Sequence, residues 1–274
     1  MALLSDLLKR RDIWKRIAIE RLTEPLHLNL LSIPVAILGT TRLKVRFDLL
    51  VRQQYAFGVL RAADLAIKAG RDSVTVVEMG VGTGVGLLNL CALAKRISKI
   101  AGIKIEVVGF DTGTGLPPPR DFRDHPEHYR QGDFAMDQAA LVAKLPAEAR
   151  LILGDLKQTV PEFVGTLSRK SPIGFVVLDV DYYSSTADGL ALFAGVDPWC
   201  YLQAVPVYVD DVHLFSHNPF SGATLAIEEF NAARAKRKIS IDRFIVHHRV
   251  FKHAEWLSHM YKLDVLDHPS RGGT

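Results

Sequence analysis

The sequence predicts a doubly wound α/β fold, a largely parallel sheet with helices on both faces. Three observations predict it. From residue 71 onward, short apolar β-branched runs alternate with helical patterns. The first run opens into a turn with glycine at every second position from Gly80 to Gly86. Acidic residues stand where successive runs end, and ligands of such sheets sit outside the carboxyl ends of the strands.

The elements follow in order. Leu3, Leu4, Leu7, Leu8, Trp14, Ile17 and Ala18 recur at three- and four-residue spacing and predict a helix over 2–21. A second helix is predicted over 47–69, closed by Gly70 as its C-cap. Seven strands are predicted over 74–78, 105–111, 150–153, 175–179, 206–210, 243–248 and 260–266. Helices over 84–99, 156–167, 186–196 and 222–237 separate most of them. This divides the chain into an N-terminal helical extension, 1–70, and a sheet domain, 71–274. Residues 112–149 form an insertion after the second strand, long enough to read as a lid or substrate loop.

Composition bounds the function. The chain has 274 residues, 48% hydrophobic and 23% charged, enough for one large domain with a sizeable core. The net charge of +4 is uneven. Residues 1–70 carry twelve Lys/Arg and six Asp/Glu, a balance of +6, so the rest of the chain is slightly acidic. A solvated helix face explains the basic start more simply than membrane docking does. With no basic stripe interleaved with aromatics, a nucleic-acid partner is not expected. The two cysteines, Cys91 and Cys200, form no CxxC pair and read as buried thiols of a reducing compartment. The first sixteen residues are too densely charged for a secretory signal. The apolar stretch 26–38 is too short and interrupted to span a bilayer. A cytoplasmic protein is expected.

The strand ends carry the chemistry. Glu78, Gly80, Gly82, Thr83 and Gly84 lie where a first strand turns into a helix, so glycines let a ligand approach the backbone and the helix N-terminus offers free N–H groups. Asp111 ends the second strand, placed to accept hydrogen bonds from the hydroxyls of a ribose. It lies 31 residues after Gly80, whereas a nicotinamide-cofactor fingerprint expects about 20. Gly154 and Asp155 end the third strand, near where an adenine edge would lie. Asp179 and Asp181 end the fourth, Asp210 and Asp211 the fifth. Asp179 and Asp181 share a face if the strand runs through both. Asp210 and Asp211 reach one point only if the chain turns there. Four converging carboxylates repel strongly, and the remedy is a hard divalent cation, Mg²⁺ first. One of the four is expected instead to cap a following helix. Asp121, Asp124, His125 and His128, in the insertion, fit no common zinc spacing and read as solvated loop.

Together these residues resemble the class I S-adenosylmethionine-dependent methyltransferases, over roughly residues 70–270. Within them the run Asp179-x-Asp181-x-Tyr183-x-Ser185-Thr186, with the later pair Asp210-Asp211, is most similar to the macrocin O-methyltransferase group. The resemblance implies a Rossmann-like seven-stranded sheet, S-adenosylmethionine as cofactor, and metal ligands at Asp179, Asp210 and Asp211. It implies Asp181 as a candidate base, with Tyr182 and His213 as weaker alternatives. A hydroxyl of a small molecule or glycoside is the implied acceptor. Val180, Tyr182 and Val212 depart from the pattern of that group. Two other readings stand beside this one: an NAD(P)-dependent oxidoreductase, disfavoured by the Asp111 spacing, and a non-catalytic scaffold of the same fold, which would need no acidic cluster. The apolar stripe of the N-terminal helices needs burial, so residues 1–46 are expected to cover the substrate crevice or to pair two subunits, with a membrane-surface helix as the alternative; a homo-oligomer is expected.

Overall fold

A computed structural model describes residues 21–195, 197–212 and 218–272. The helix expected over 2–21 lies outside these, save its last residue, as does His213. Among the described residues, three helices precede the sheet: α1 (Leu26–Leu38), α2 (Thr41–Arg46) and α3 (Gln53–Lys68). Then come β1 (Ser73–Met79), α4 (Val85–Ala101), β2 (Lys104–Asp111), α5 (Gln138–Val142), β3 (Ala149–Leu153), α6 (Leu156–Val164), β4 (Ile173–Leu178) and α7 (Tyr183–Leu190). The chain closes through β5 (Ala204–Val209), α8 (Gly222–Ala233), β6 (Arg237–Ile241) and β7 (Met260–Val265).

The seven strands form one sheet in the order β3-β2-β1-β4-β5-β7-β6. β1 to β5 are parallel, and β7 runs antiparallel to both β5 and β6. The architecture is the Rossmann-like α/β sheet expected. The strand order reverses between β1 and β4, which is where a doubly wound sheet opens its ligand crevice. The central strands β1 and β4 are buried along nearly their whole length, as covering helices on both faces require. Their β-branched valines suit that pleated, two-sided burial.

Helix α3 belongs to this core. Tyr55, Val59, Ala62 and Ala66 are fully buried, and the Tyr55 ring meets Phe175 of β4 and Tyr208 of β5 edge-on, at 6.4 and 6.0 Å. The packing therefore joins α3 to the sheet that the sequence division at residue 70 would separate from it.

Five expected elements have shifted bounds. The helix expected over 47–69 begins only at Gln53, because Asp48 and Arg52 adopt left-handed φ of 53° and 51° and break the spiral ahead of it. The helix expected over 222–237 stops at Ala233, and the sixth strand is residues 237–241, not 243–248. Arg237 is buried, its guanidinium bonded to Asp267 at 2.7 Å, and Ile239 alternates inward with it. Over 243–248, Asp242 instead accepts from the N–H groups of Phe244 and Ile245 and starts a 3-10 turn at Ile245–His248. The helix expected over 186–196 starts earlier, at Tyr183, and gives way to a 3-10 turn at Ala191–Ala194. That expected over 156–167 ends at Val164. Both cysteines are buried and free. Among the described residues no helix is long and apolar enough to cross a membrane.

The segment before α3 is tied to the far end of the chain by one buried ion pair. The Arg249 guanidinium bonds the Asp48 carboxylate, both nearly inaccessible, and it also donates to the Val45 carbonyl at 2.8 Å. Removing one partner of a buried pair leaves an uncompensated charge. Asn tolerates the left-handed backbone at residue 48, so Asp48→Asn isolates the charge. It is expected to lower unfolding free energy by about 3 kcal/mol, read as a fall in urea midpoint at unchanged slope. A midpoint equal to wild type would show that the pair contributes nothing.

Candidate functional site

The site grows from a backbone contact between β1 and β4. The Asp179 N–H donates to the Met79 carbonyl at 3.0 Å. At the next residue, Gly80, a Cβ would sit 1.6 Å from the Asp179 carbonyl oxygen, and φ is +85°. Only glycine fits there. The turn that follows brings the Gly82 N–H to Asp111 Oδ2 at 2.8 Å, while Asp111 Oδ1 accepts from the Gly113 N–H at 2.7 Å. Beneath the turn lies Glu78, buried, its Oε1 accepting from the Tyr55 hydroxyl at 2.8 Å. Its Oε2 has no partner among the described residues. A Cβ at Gly86 would approach Glu78 Oε1 to 2.0 Å, so glycine in the first turn of α4 makes room for that carboxyl. Burial pushes Glu78 up to about 7, with the Tyr55 hydrogen bond and Arg52 opposing.

A cavity of about 330 Å³ opens over this turn. Glu78, Gly80, Gly82, Thr83, Asp111, Asp155, Asp179, Asp181 and Asp210 all line it. Gly84 and Gly154 do not. Gly84 stands at the N-cap of α4, and Gly154 turns the chain at φ +139° ahead of α6. Asp155 spends one oxygen on capping α6, accepting from the Lys157 N–H at 2.8 Å.

At the other end the chain does turn after β5, and carboxylate oxygens of Asp179, Asp210 and Asp211 lie within 4.8 Å of one another. Asp181 is not part of that trio. β4 ends at Leu178, and Asp181 adopts a left-handed φ of 59°, so the strand does not carry Asp179 and Asp181 onto one face. Instead the Asp181 N–H donates to Asp211 Oδ2 at 3.2 Å. Burial, then repulsion from Asp210, holds Asp179 well above the usual carboxylate range. The same causes bring Asp181 to about 6. Burial, then Asp181 and Asp210, brings Asp211 to about 8. Three converging oxygen donors under mutual repulsion are the donor set of a hard divalent cation.

None of the four acids caps the helix that follows. That duty falls to Asp124 of the insertion, fully buried, whose carboxylate accepts from the Ser184 N–H at 2.7 Å and the Ser184 hydroxyl at 2.9 Å. Asp124 thus fastens the insertion to the first turn of α7, which draws on neither Asp179 nor Asp181 as its cap. Leu116, Pro117, Arg120, Asp133 and Phe134 of the insertion line the cavity, and Arg120 reaches Asp188 of α7 at 2.6 Å. Sequence reasoning missed Asp124, Arg120 and Arg52, which also lines the cavity. Nothing in local spacing marks them, because their partners lie on other elements. Tyr182 is fully buried against the Tyr129 ring and does not line the cavity; burial raises its hydroxyl to about 12. In the insertion, His125 Nδ1 lies 3.0 Å from Glu127, a pairing that joins His125 and His128 through an acid the sequence reading passed over.

No protein-family model and no curated protein matches the sequence. Among solved structures the chain is similar to the calicheamicin methyltransferase CalS11, at 20% identity and a TM-score of 0.50, over 79% of this chain and 82% of that one. That likeness shows the fold, a seven-stranded Rossmann-like α/β sheet. The O-methyltransferase TomG from Streptomyces achromogenes, solved in complex with SAM, is 14% identical over 93% of this chain and 97% of that one, with a TM-score of 0.41.

The buried Glu78 gives a signed pH dependence. Between its unfolded value of about 4.3 and about 7, the folded protein keeps the proton that the unfolded chain releases. Stability is therefore lost as pH rises through that window, by on the order of 3 kcal/mol in all. Glu78→Gln removes this dependence. Its thermal midpoint relative to wild type is expected to be several degrees more favourable at pH 8 than at pH 5; a difference that does not change with pH refutes the assignment.

Proposed function

We propose that this chain is an S-adenosylmethionine-dependent O-methyltransferase, assisted by a divalent cation, acting on a hydroxyl of a small molecule or glycoside. The observation that carries the reading is the convergence of Asp179, Asp210 and Asp211 within 4.8 Å, the first two of them lining the cavity that Gly82 and Asp111 also line. The methyltransferase-like sheet supports it.

When bound, the cofactor supplies a methyl group on an electrophilic sulfonium, and the cation lowers the pKa of a hydroxyl held against it. The remaining work belongs to the chain. Asp111, oriented by two backbone N–H groups, accepts from ribose hydroxyls. Glu78, buried beside the glycine turn, receives the amino group of the cofactor's amino-acid end, a charge that would offset its desolvation. Asp179, Asp210 and Asp211 hold the cation. Asp181, beside them on the cavity wall, takes the proton from the acceptor hydroxyl. The insertion, with Phe134 and Leu116 facing the cavity, excludes water and aligns nucleophile, methyl carbon and sulfur for in-line displacement.

Ligands and base are expected to fail differently. Asp210→Asn should raise the Mg²⁺ concentration needed for methyl transfer, with calorimetric binding of S-adenosylhomocysteine unchanged. Asp181→Asn should lower turnover by ~10²–10⁴-fold at nearly unchanged metal requirement. Tritium transfer from labelled S-adenosylmethionine to a panel of glycosides and phenols reads both. No heat with either cofactor form, in folded protein, sinks the methyltransferase reading. Turnover that survives exhaustive chelation sinks the metal role alone.

A further inference from the structure

The insertion carries a second group of converging donor atoms, apart from the carboxylate trio. His125, Glu127 and His128 each present one ligand atom within 4.8 Å of the others. His125 Nδ1 lies 3.0 Å from Glu127 Oε1, and His128 Nε2 lies 3.8 Å from the same oxygen. The two imidazole rings stand 6.0 Å apart, tilted by 38°. None of these three residues lines the cavity.

A local turn brings them together. His125 has a left-handed φ of 53°, and its carbonyl accepts from the N–H groups of His128 and Tyr129 at 2.9 and 3.2 Å. The chain folds back over Pro126, and both imidazoles meet the one carboxylate. Each flank of the turn is held in place. On one side Asp124 is buried and bonded to Ser184. On the other the Tyr129 ring packs edge-on against Tyr182 at 5.9 Å. Further out, Leu116 accepts from the Gly132 N–H at 2.9 Å and donates to the Asp133 carbonyl at 2.8 Å. That pair of bonds closes residues 117–131 into a loop that carries the turn.

The donors suit a different cation from the one at the strand ends. Two imidazole nitrogens and a carboxylate oxygen are donors for a borderline transition-metal ion such as zinc, whereas an all-oxygen set takes a hard ion. Tetrahedral bonds of about 2.0–2.1 Å separate neighbouring donors by about 3.4 Å, and the observed 3.0 and 3.8 Å lie on either side of that spacing. A histidine–glutamate hydrogen bond accounts for His125 alone; His128 at 3.8 Å is beyond the reach of one. His125 is buried, while Glu127 and His128 are 56% and 45% exposed. A fourth position therefore faces water, and an ion can enter without the loop opening.

We propose that His125, Glu127 and His128 form a site for a zinc-type ion that clamps the loop 117–131. The site is independent of the methyl transfer proposed above. Pro117, at one end of that loop, and Asp133, just beyond the other, line the cavity, so the ion stiffens the outer wall of the cavity from a distance.

The test is calorimetry with Zn²⁺ on the untagged full chain, freed of metal by chelation and held in excess Mg²⁺ to occupy the carboxylate trio. Binding of one ion at on the order of micromolar affinity or tighter is expected. His128→Ala and, separately, Glu127→Gln should each weaken it at least about 10-fold, the cost of losing even an outer partner of a metal ligand. Both side chains are exposed, and circular dichroism of the metal-free variants should match wild type. Asp210→Asn should leave zinc binding intact. Zinc should also slow amide hydrogen exchange over residues 117–131 in wild type and not in His128→Ala. No zinc heat from folded wild type overturns the inference, and so does heat that survives both loop substitutions. Heat lost in Asp210→Asn but kept in His128→Ala assigns the ion to the trio instead. Binding that leaves exchange in the loop unchanged overturns the clamp.

Discussion

The contact between Gly80 and the Asp179 carbonyl is the constraint on which the site depends. Two parallel strands, β1 and β4, end at the same level, and the chains leaving them move apart because the sheet changes direction there. A side chain at residue 80 would push the Asp179 backbone away. Without one, the glycine turn and the acidic strand end lie across a single opening. Asp111 is fixed from the same turn through the Gly82 N–H, and Glu78 is buried beneath it. A displacement at this contact would move Asp111, the buried Glu78 and the first member of the carboxylate trio together.

The energetics of that opening run against folding. Glu78, Asp179, Asp181 and Asp211 are all held above the ordinary carboxylate range, with burial the first cause in each case. Shifts of this size each cost several kcal/mol at neutral pH when the group is ionised, and a domain has only about 5–15 kcal/mol of net stability. The apolar sheet and α3 must offset that cost. The structure separates the two tasks in space. Burial is nearly complete along β1 and β4, and the unfavourable charges are confined to the rim where those strands end.

How much of this was legible in the sequence follows from the range of each interaction. The strands of the parallel core were legible because Val74–Val77 or Phe175–Leu178, buried on both faces, read as uninterrupted apolar runs. The glycine turn was legible because positive φ and close approach select glycine at fixed positions. The meeting of Asp210 with Asp211 was foreseen only conditionally, since it required a turn after β5. Edge elements were misread. Arg237 looks like a helix end until Asp267, thirty residues on, is found pairing with it. The base-ward reading of Tyr182 came from its place in the acidic run, whereas its burial depends on Tyr129 from the insertion. Asp124 was misread as solvated loop, because its burial and its role as cap of α7 depend on a helix sixty residues away.

The insertion also bears on how little positive charge the described cavity lining brings to the carboxylates. Among the described residues lining the cavity, the cationic side chains are Arg52 and Arg120. Arg120 is engaged by Asp188 at 2.6 Å and lies 4.0 Å from Asp155. Arg52 acts on Glu78 and Tyr55, lowering both. Among the described residues neither is a main influence on Asp179 or Asp211, which are acted on by neighbouring acids, Asp211 also by the Tyr129 hydroxyl. Asp124 takes over the capping of α7, so no helix N-terminus draws off the charge of Asp179 or Asp181. Asp181 adds backbone strain at the same point, a left-handed aspartate of the sort that costs about 1–3 kcal/mol. Among the described residues the arginines and the helix cap are turned away from these acids and one of them is strained, a balance that a ligand's positive charge would relieve. That asymmetry is the physical ground on which the proposed cation and sulfonium rest.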